Sequence, residues 1–345
     1  MFNDFWGNRA AAKTLERMIR QERIPQTLLF SGPEGVGKAT LARRFGAQLL
    51  GDGHKIDRDD LSLPENMASI AGRESWTSEK RNEDPLLFAS HPDFLTFPPD
   101  GPLRQLSIPQ MRLLKERAPY KPLHGSRRIF LIDHIDRANP QAANSLLKTL
   151  EEPPPHLILI MTAENSYDLL PTIRSRAVPL HFQPLGDSEM REFAVRRGLD
   201  RPERRIALAA GSPGMAVSLD LEVYDKRRAA MLALLRVAAG AAPFTAWIAH
   251  SEAIGRGKSE KLEFYLKVLY GLLRDVLVLR EAGGEIRNAD LRGELEPLAQ
   301  RVSFRWIRIA VRKVDELAEL LRRNIQKTIA LDSLILELRS VAAGA

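Results

Sequence analysis

Apolar positions along this 345-residue chain follow two different rules, and the change comes near residue 183. Before it, short unbroken apolar runs alternate with stretches of helical spacing. Ala12, Leu15, Met18 and Ile19 predict a helix over 9–22. Thr27-Leu-Leu-Phe-Ser31 predicts a strand, and Leu41, Phe45, Leu49 and Leu50 predict a helix over 38–50. Residues 51–90 lose this periodicity and carry Asp57, Asp59, Asp60, Pro64 and Pro85, which predicts an insert or a long surface excursion. A short strand is expected at 91–97, a helix at 108–118, and a buried strand at 128–133 that ends in a carboxylate. Ala142, Leu146, Leu147 and Leu150 mark a helix over 139–150, stopped by Glu151-Glu-Pro-Pro-Pro155 because proline cannot continue it. Two further apolar strands are expected at 157–161 and 177–182.

Strands that are apolar throughout and alternate with helices describe a parallel sheet covered on both faces. Such sheets bind ligands at the carboxyl ends of their strands. Beyond Pro184 the pattern changes to short helices and a Gly211-Ser-Pro-Gly214 turn. From about residue 222 it is helical throughout: Leu262, Tyr265, Leu266, Leu269, Leu272, Leu273 and Val276 follow i, i+3, i+4, i+7 spacing. Two more such helices are expected at 309–321 and 325–338. No internal repeat and no low-complexity tract is evident.

The first strand leads into Gly32-Pro-Glu-Gly-Val-Gly-Lys-Ala-Thr40. This fits the phosphate-cradling pattern G-x-x-x-x-G-K-[S/T] at Gly32, Gly37 and Lys38, with Gly35 inside the loop, and breaks it at Ala39. Backbone N–H groups and a lysine remain available to a polyphosphate. The hydroxyl that would hold Mg²⁺ is missing, and Thr40 comes one residue late to replace it.

Leu131-Ile-Asp-His-Ile-Asp136 is the second piece. Asp133 stands where strand-type ATPases hold Mg²⁺, and the next residue, which should be a carboxylate base, is His134. Asp136 is an alternative base, but two residues further on it is expected to point elsewhere. Missing hydroxyl and missing base are independent defects that agree, so hydrolysis by this chain is not expected.

Leu170-Pro-Thr-Ile-Arg-Ser-Arg176 is the third piece. An arginine beside a bound γ-phosphate stabilises the charge that develops on transfer, and it can be donated to a neighbouring subunit. The plainer reading is a surface salt bridge. Gly211-Ser-Pro-Gly-Met215 begins a helix where nucleotide-sensing modules often carry an arginine, and this chain has Gly214 and Met215 there.

The net charge of +7 and pI of about 9.7 fit a polyanion partner and fit an arginine-rich solvated surface equally well. The absence of cysteine rules out disulfides and thiolate zinc sites. The seven histidines show no metal-ligand helical spacing, so no metal ligand set is expected. The N-terminal residues lack the basic start and apolar run of a signal peptide, and no apolar run approaches a membrane span, so an intracellular chain that avoids membranes is expected.

Taken together, Ser31–Thr40, Leu131–Asp136, Asn144-Ser-Leu-Leu-Lys-Thr-Leu-Glu-Glu-Pro-Pro154 and Ile173-Arg-Ser-Arg176 resemble the delta-prime subunits of the bacterial DNA polymerase III clamp loader, within the AAA+ superfamily. The likeness covers about residues 1–220, and the helical remainder is similar in layout only. It implies an α/β fold: a RecA-like AAA+ domain with a parallel sheet (1–183, insert 51–90), a small helical lid (184–221) and an all-α collar (222–345). It implies a part of the DNA polymerase III holoenzyme that braces a hetero-pentamer with motor subunits and a delta subunit, acting through the complex on a sliding clamp and primer-template DNA. The place implied is the cytoplasm, at the nucleoid-associated replisome. Arg176 matches the family's S-R-C motif, which reaches into a neighbour's ATP site in trans; here the motif ends in Ala177. The nucleotide-binding positions carried over are Gly32, Gly35, Gly37, Lys38, Thr40 and Asp133. ATP or ADP is allowed and not required, the lost hydroxyl argues against Mg²⁺, and the cysteine-free insert argues against the zinc module of many relatives. Two rivals remain: an active motor-type ATPase, and an AAA+ repair or restart adaptor that binds DNA directly.

Overall fold

The computed structural model describes every residue except 3, 257–260, 282, 321–325 and 344–345. It divides into two compact units, residues 1–202 with 209–217, and residues 203–208 with 218–345.

The first unit is built on six strands: β1 (Thr27–Ser31), β2 (Phe88–His91), β3 (Phe94–Phe97), β4 (Arg128–Ile132), β5 (Leu157–Ala163) and β6 (Val178–His181). They lie in the order β2-β3-β4-β5-β1-β6. All neighbours are parallel except β2 and β3, which form an antiparallel edge pair. The unbroken apolar runs are explained by the pleat, which sends successive side chains to opposite faces. Leu28, Phe30, Ile129, Leu131, Ile158 and Ile160 form one core with Leu41 and Phe45. Leu29, Phe130, Ile132, Leu159 and Met161 form another with Leu114, Leu146 and Leu150. Both faces of the inner strands are therefore dry: every residue of β1, β3, β4 and β5 is buried, whereas the edge strands β2 and β6 are largely open. This is an α/β arrangement with a mostly parallel sheet, with β1 inside it and its carboxyl end feeding the glycine loop.

The covering helices are α1 (Arg9–Arg20) and α2 (Lys38–Leu50), then α3 (Gly53–Asp57), α4 (Pro64–Gly72) and α5 (Ser78–Glu83). They continue with α6 (Ile108–Arg117), α7 (Pro140–Glu151), α8 (Pro171–Arg174), α9 (Asp187–Arg197) and, after α10 (Pro202–Ala209), whose residues 203–208 belong to the second unit, α11 (Pro213–Ser218). Residues 51–90, expected as an insert or long surface excursion, hold α3, α4, α5 and most of β2. Helices this short cannot show a period. Their order comes from polar anchoring: the buried Arg73 reaches Asp100 at 2.8 Å and Asp84 at 3.0 Å, with its guanidinium 4.3 Å from the Trp76 ring. The single strand expected at 91–97 is a hairpin, because Pro92 and Asp93 turn the chain between β2 and β3.

The second unit is helical: α12 (Leu221–Ala238), α13 (Thr245–Arg256), α14 (Leu262–Glu281), α15 (Arg292–Arg301), α16 (Phe304–Leu320) and α17 (Lys327–Ala343). The expected helix ends Leu321 and Ile325 lie outside the described residues. Met231, Leu234, Trp247, Leu269, Leu272, Trp306, Ala310, Leu331 and Ile335 make one continuous core. Its two buried indoles are satisfied: Trp247 Nε1 donates to Asp332 at 2.5 Å, and Trp306 Nε1 to the Leu338 carbonyl at 2.9 Å. Among the described residues no helix is long and apolar enough to cross a membrane.

Candidate functional site

The glycine loop leaves β1 at Gly32 and enters α2 at Lys38. Lys38 is buried, and its ammonium does not face an open cradle. Nζ donates to the Gly32 carbonyl at 2.5 Å and to the Pro33 carbonyl at 2.7 Å. Burial holds this amine below its ordinary range, while Glu164, Asp133, Asp136 and Glu34 pull it back up. Ala39 packs against the core beneath the loop, and Thr40 is half-buried one position further along α2.

The start of α11 closes over the same loop. Ser212 Oγ donates to the Glu34 carbonyl at 2.9 Å, and the Gly214 amide donates to the Gly35 carbonyl at 2.9 Å. The approach is backbone on backbone. A Cβ on Gly214 would fall 2.9 Å from the Gly35 Cα, and a Cβ on Gly35, whose φ is +73°, would strike the Ser212 hydroxyl. The position that carries an arginine in nucleotide-sensing modules is thus filled by main chain.

Asp133 ends β4 and is buried. Its Oδ1 accepts from the Thr162 hydroxyl at 2.5 Å, and that hydroxyl also accepts the His134 amide at 2.8 Å. One threonine at the end of β5 therefore ties the Asp133 carboxylate to the His134 backbone. His134 has φ +54° and ψ +58°, the left-handed region that histidine tolerates better than most residues. A short 3₁₀ turn over Ile135–Arg137 follows. These two features curl the chain, and Asp136 comes back beside His134 instead of pointing elsewhere as the sequence spacing predicts. Asp136 Oδ2 accepts the Glu164 amide at 3.1 Å, and burial pushes its carboxyl above the usual range.

Arg176 lies on the surface just beyond α8. Its Nη2 donates to Glu151 Oε1 at 2.8 Å and its Nη1 to the Thr172 carbonyl at 2.9 Å. Glu151 closes α7 and is the first glutamate of the Leu-Glu-Glu-Pro-Pro stretch, so two motifs separate in the sequence meet through one ion pair. The structure thus gathers Gly32, Gly35, Gly37, Lys38 and Asp133 at one end of the sheet, with Arg176 on a separate surface. Sequence reasoning missed Glu164, Ser212 and the Glu151 pairing. Glu151 and Ser212 left a signal, each lying inside a motif already singled out, and Glu164 left none.

A family model described as DNA polymerase III, delta subunit, matches residues 7–186, the whole of this strand-and-loop framework. The chain belongs to this family. Among its curated relatives is DNA polymerase III subunit delta' of Bacillus subtilis, 28% identical over 62% of this chain and 59% of that protein. Subunit delta' of Pseudomonas aeruginosa is 30% identical over 58% of this chain and 57% of its own length. DNA polymerase III subunit gamma/tau of Mycobacterium bovis is 29% identical over 56% of this chain and 31% of that protein. The chain therefore spans less than two thirds of these relatives. The resemblance to delta-prime subunits read from the motifs is borne out.

Proposed function

We propose that this delta-family chain is a clamp-loader subunit without ATP turnover of its own, which lends Arg176 to the ATP site of an adjoining motor subunit. Residues 222–345 serve as the collar that holds it in a five-membered ring, and the ring opens a sliding clamp onto primed DNA. One observation carries the reading: the phosphate loop is satisfied internally. Lys38 is bound to the loop's own carbonyls, and Gly214 backs directly onto Gly35. A polyphosphate would have to displace both, and it would then find neither the hydroxyl at Ala39 nor the carboxylate at His134. Arg176, by contrast, is held by a half-exposed partner on the surface.

The test is DNA-stimulated ATPase of the assembled ring. Arg176→Ala is expected to leave assembly intact and to lower turnover; unchanged turnover in an intact ring removes the finger assignment. The likeness to gamma/tau favours a second reading, in which the chain is itself a motor. Hydrolysis by the purified chain that disappears with Lys38→Ala would establish that reading in place of the first.

A further inference from the structure

At the carboxyl ends of β4 and β5, three side chains converge without bonding one another. His134 Nδ1 lies 3.9 Å from Asp136 Oδ1 and 3.8 Å from Glu164 Oε1. The three atoms lie within 4.8 Å of one another. His134 Nδ1 and Asp136 Oδ1 are both buried and have no hydrogen-bond partner, and the Asp136 side chain is only 10% exposed. A buried polar atom left unpaired costs about 1–3 kcal/mol, and folded proteins keep few of them without something to receive them. Direct pairing does not answer the need here, since the gaps exceed hydrogen-bond length by nearly an ångström.

We propose that His134, Asp136 and Glu164 form a binding site for a borderline first-row divalent cation of the Zn²⁺ class. One imidazole nitrogen and two carboxylate oxygens are a donor set such ions accept, whereas Mg²⁺ prefers an all-oxygen octahedron and keeps its waters. Zinc bonds of about 2.0–2.1 Å in a tetrahedron put ligand atoms roughly 3.3 Å apart. The two gaps from the imidazole close to that by side-chain rotations of about half an ångström, and the third, no wider than 4.8 Å, by at most about 1.5 Å. The backbone already fixes the cradle: the His134 amide is held by Thr162, and the Glu164 amide by the other oxygen of Asp136.

Charge permits the ion and limits its strength. Asp133, Asp136, Glu164 and Glu34 all act on Lys38, and Arg137 Nη2 already contacts Glu164 Oε1 at 3.3 Å. Four carboxylates against two cations leave two net negative charges, and the guanidinium must share Glu164 with the ion. The bound ion would tie the β4 and β5 loops together beneath the glycine loop. It requires neither nucleotide nor a neighbouring subunit.

The full chain, stripped with a chelator, would be titrated with Zn²⁺ alone by calorimetry, with Co²⁺ as a spectroscopic probe of the imidazole ligand. The wild type is expected to take up one equivalent with a concentration-dependent rise in melting temperature. Asp136→Asn and Glu164→Gln should each weaken binding at least tenfold, His181→Gln should not, and excess Mg²⁺ should not displace the ion. Circular dichroism of each variant establishes that it folds, and loss of binding in Glu164→Gln stands as the readout should Asp136→Asn fail that check. Absence of uptake by the wild type, uptake that survives both carboxamide variants, or ready displacement by Mg²⁺ would each overturn the proposal.

Discussion

The glycine loop and the Arg176 corner are two parts of one sheet framework with opposite chemistry. In the loop every strong group is turned inward: Lys38 to the carbonyls of Gly32 and Pro33, Gly214 to Gly35, Ser212 to Glu34. At the corner, one arginine stands at the surface and is held by a carboxylate that is itself half-exposed. Exposed pairs of this kind contribute at most about 1 kcal/mol, so a partner can take the guanidinium over cheaply. The cation of the loop is spent on the loop's own carbonyls, while the cation of the corner faces outward.

The sharpest way to break this contrast is Arg176→Ala. An arginine finger contributes on the order of 10³-fold or more to turnover at the site it serves. The variant should therefore lower ATPase of the assembled ring strongly while the purified chain keeps its melting temperature. A loss of stability without a loss of ATPase would reduce Arg176 to a surface ion pair. Next in size is Gly214→Arg, which restores the residue type of a sensing module. The new Cβ meets the Gly35 backbone, so unfolding free energy in denaturant should fall by about 1–3 kcal/mol, and no hydrolysis should appear. Recovery of turnover would mean that the loop opens readily after all.

Lys38→Met keeps the apolar stem and removes the donor to two carbonyls. It should cost about 1 kcal/mol in stability, where in an active ATPase it would abolish turnover. Its pH dependence carries a sign. Folding lowers the Lys38 pKa from 10.5, so between the lowered value and 10.5 the unfolded chain binds more protons than the folded one. Wild-type stability relative to Lys38→Met should therefore rise as pH increases through that window, which paired denaturation curves would measure. The smallest effect belongs to Glu151→Gln. Stability should change by less than about 1 kcal/mol, and ring ATPase should stay nearer to wild type than to Arg176→Ala.

How much of this was legible beforehand varied with the kind of force involved. The parallel sheet could be read because burial on both faces leaves unbroken apolar runs such as Leu157–Met161. Gly32, Gly37, Lys38 and Asp133 could be read because a glycine loop after a strand and a carboxylate at a strand end are local patterns. The insert could not, since Arg73 organises it through partners 11 and 27 residues away. Nor could the meeting of His134 with Asp136, which follows from one residue in the left-handed region and a turn that no spacing rule encodes. Glu164 needed the register that sets Ile132 beside Met161, a long-range fact of the sheet.

The backbone contact between Gly214 and Gly35 also bears on descent. A lineage that has lost a catalytic hydroxyl, a base and a sensing arginine would need several reversions to hydrolyse again. Here the first helpful step, any side chain at position 214, is penalised until the main chain across from it has moved. Selection acting on single substitutions meets an uphill path from the outset, so the supporting role proposed for this chain would be held in place by geometry as well as by missing chemistry.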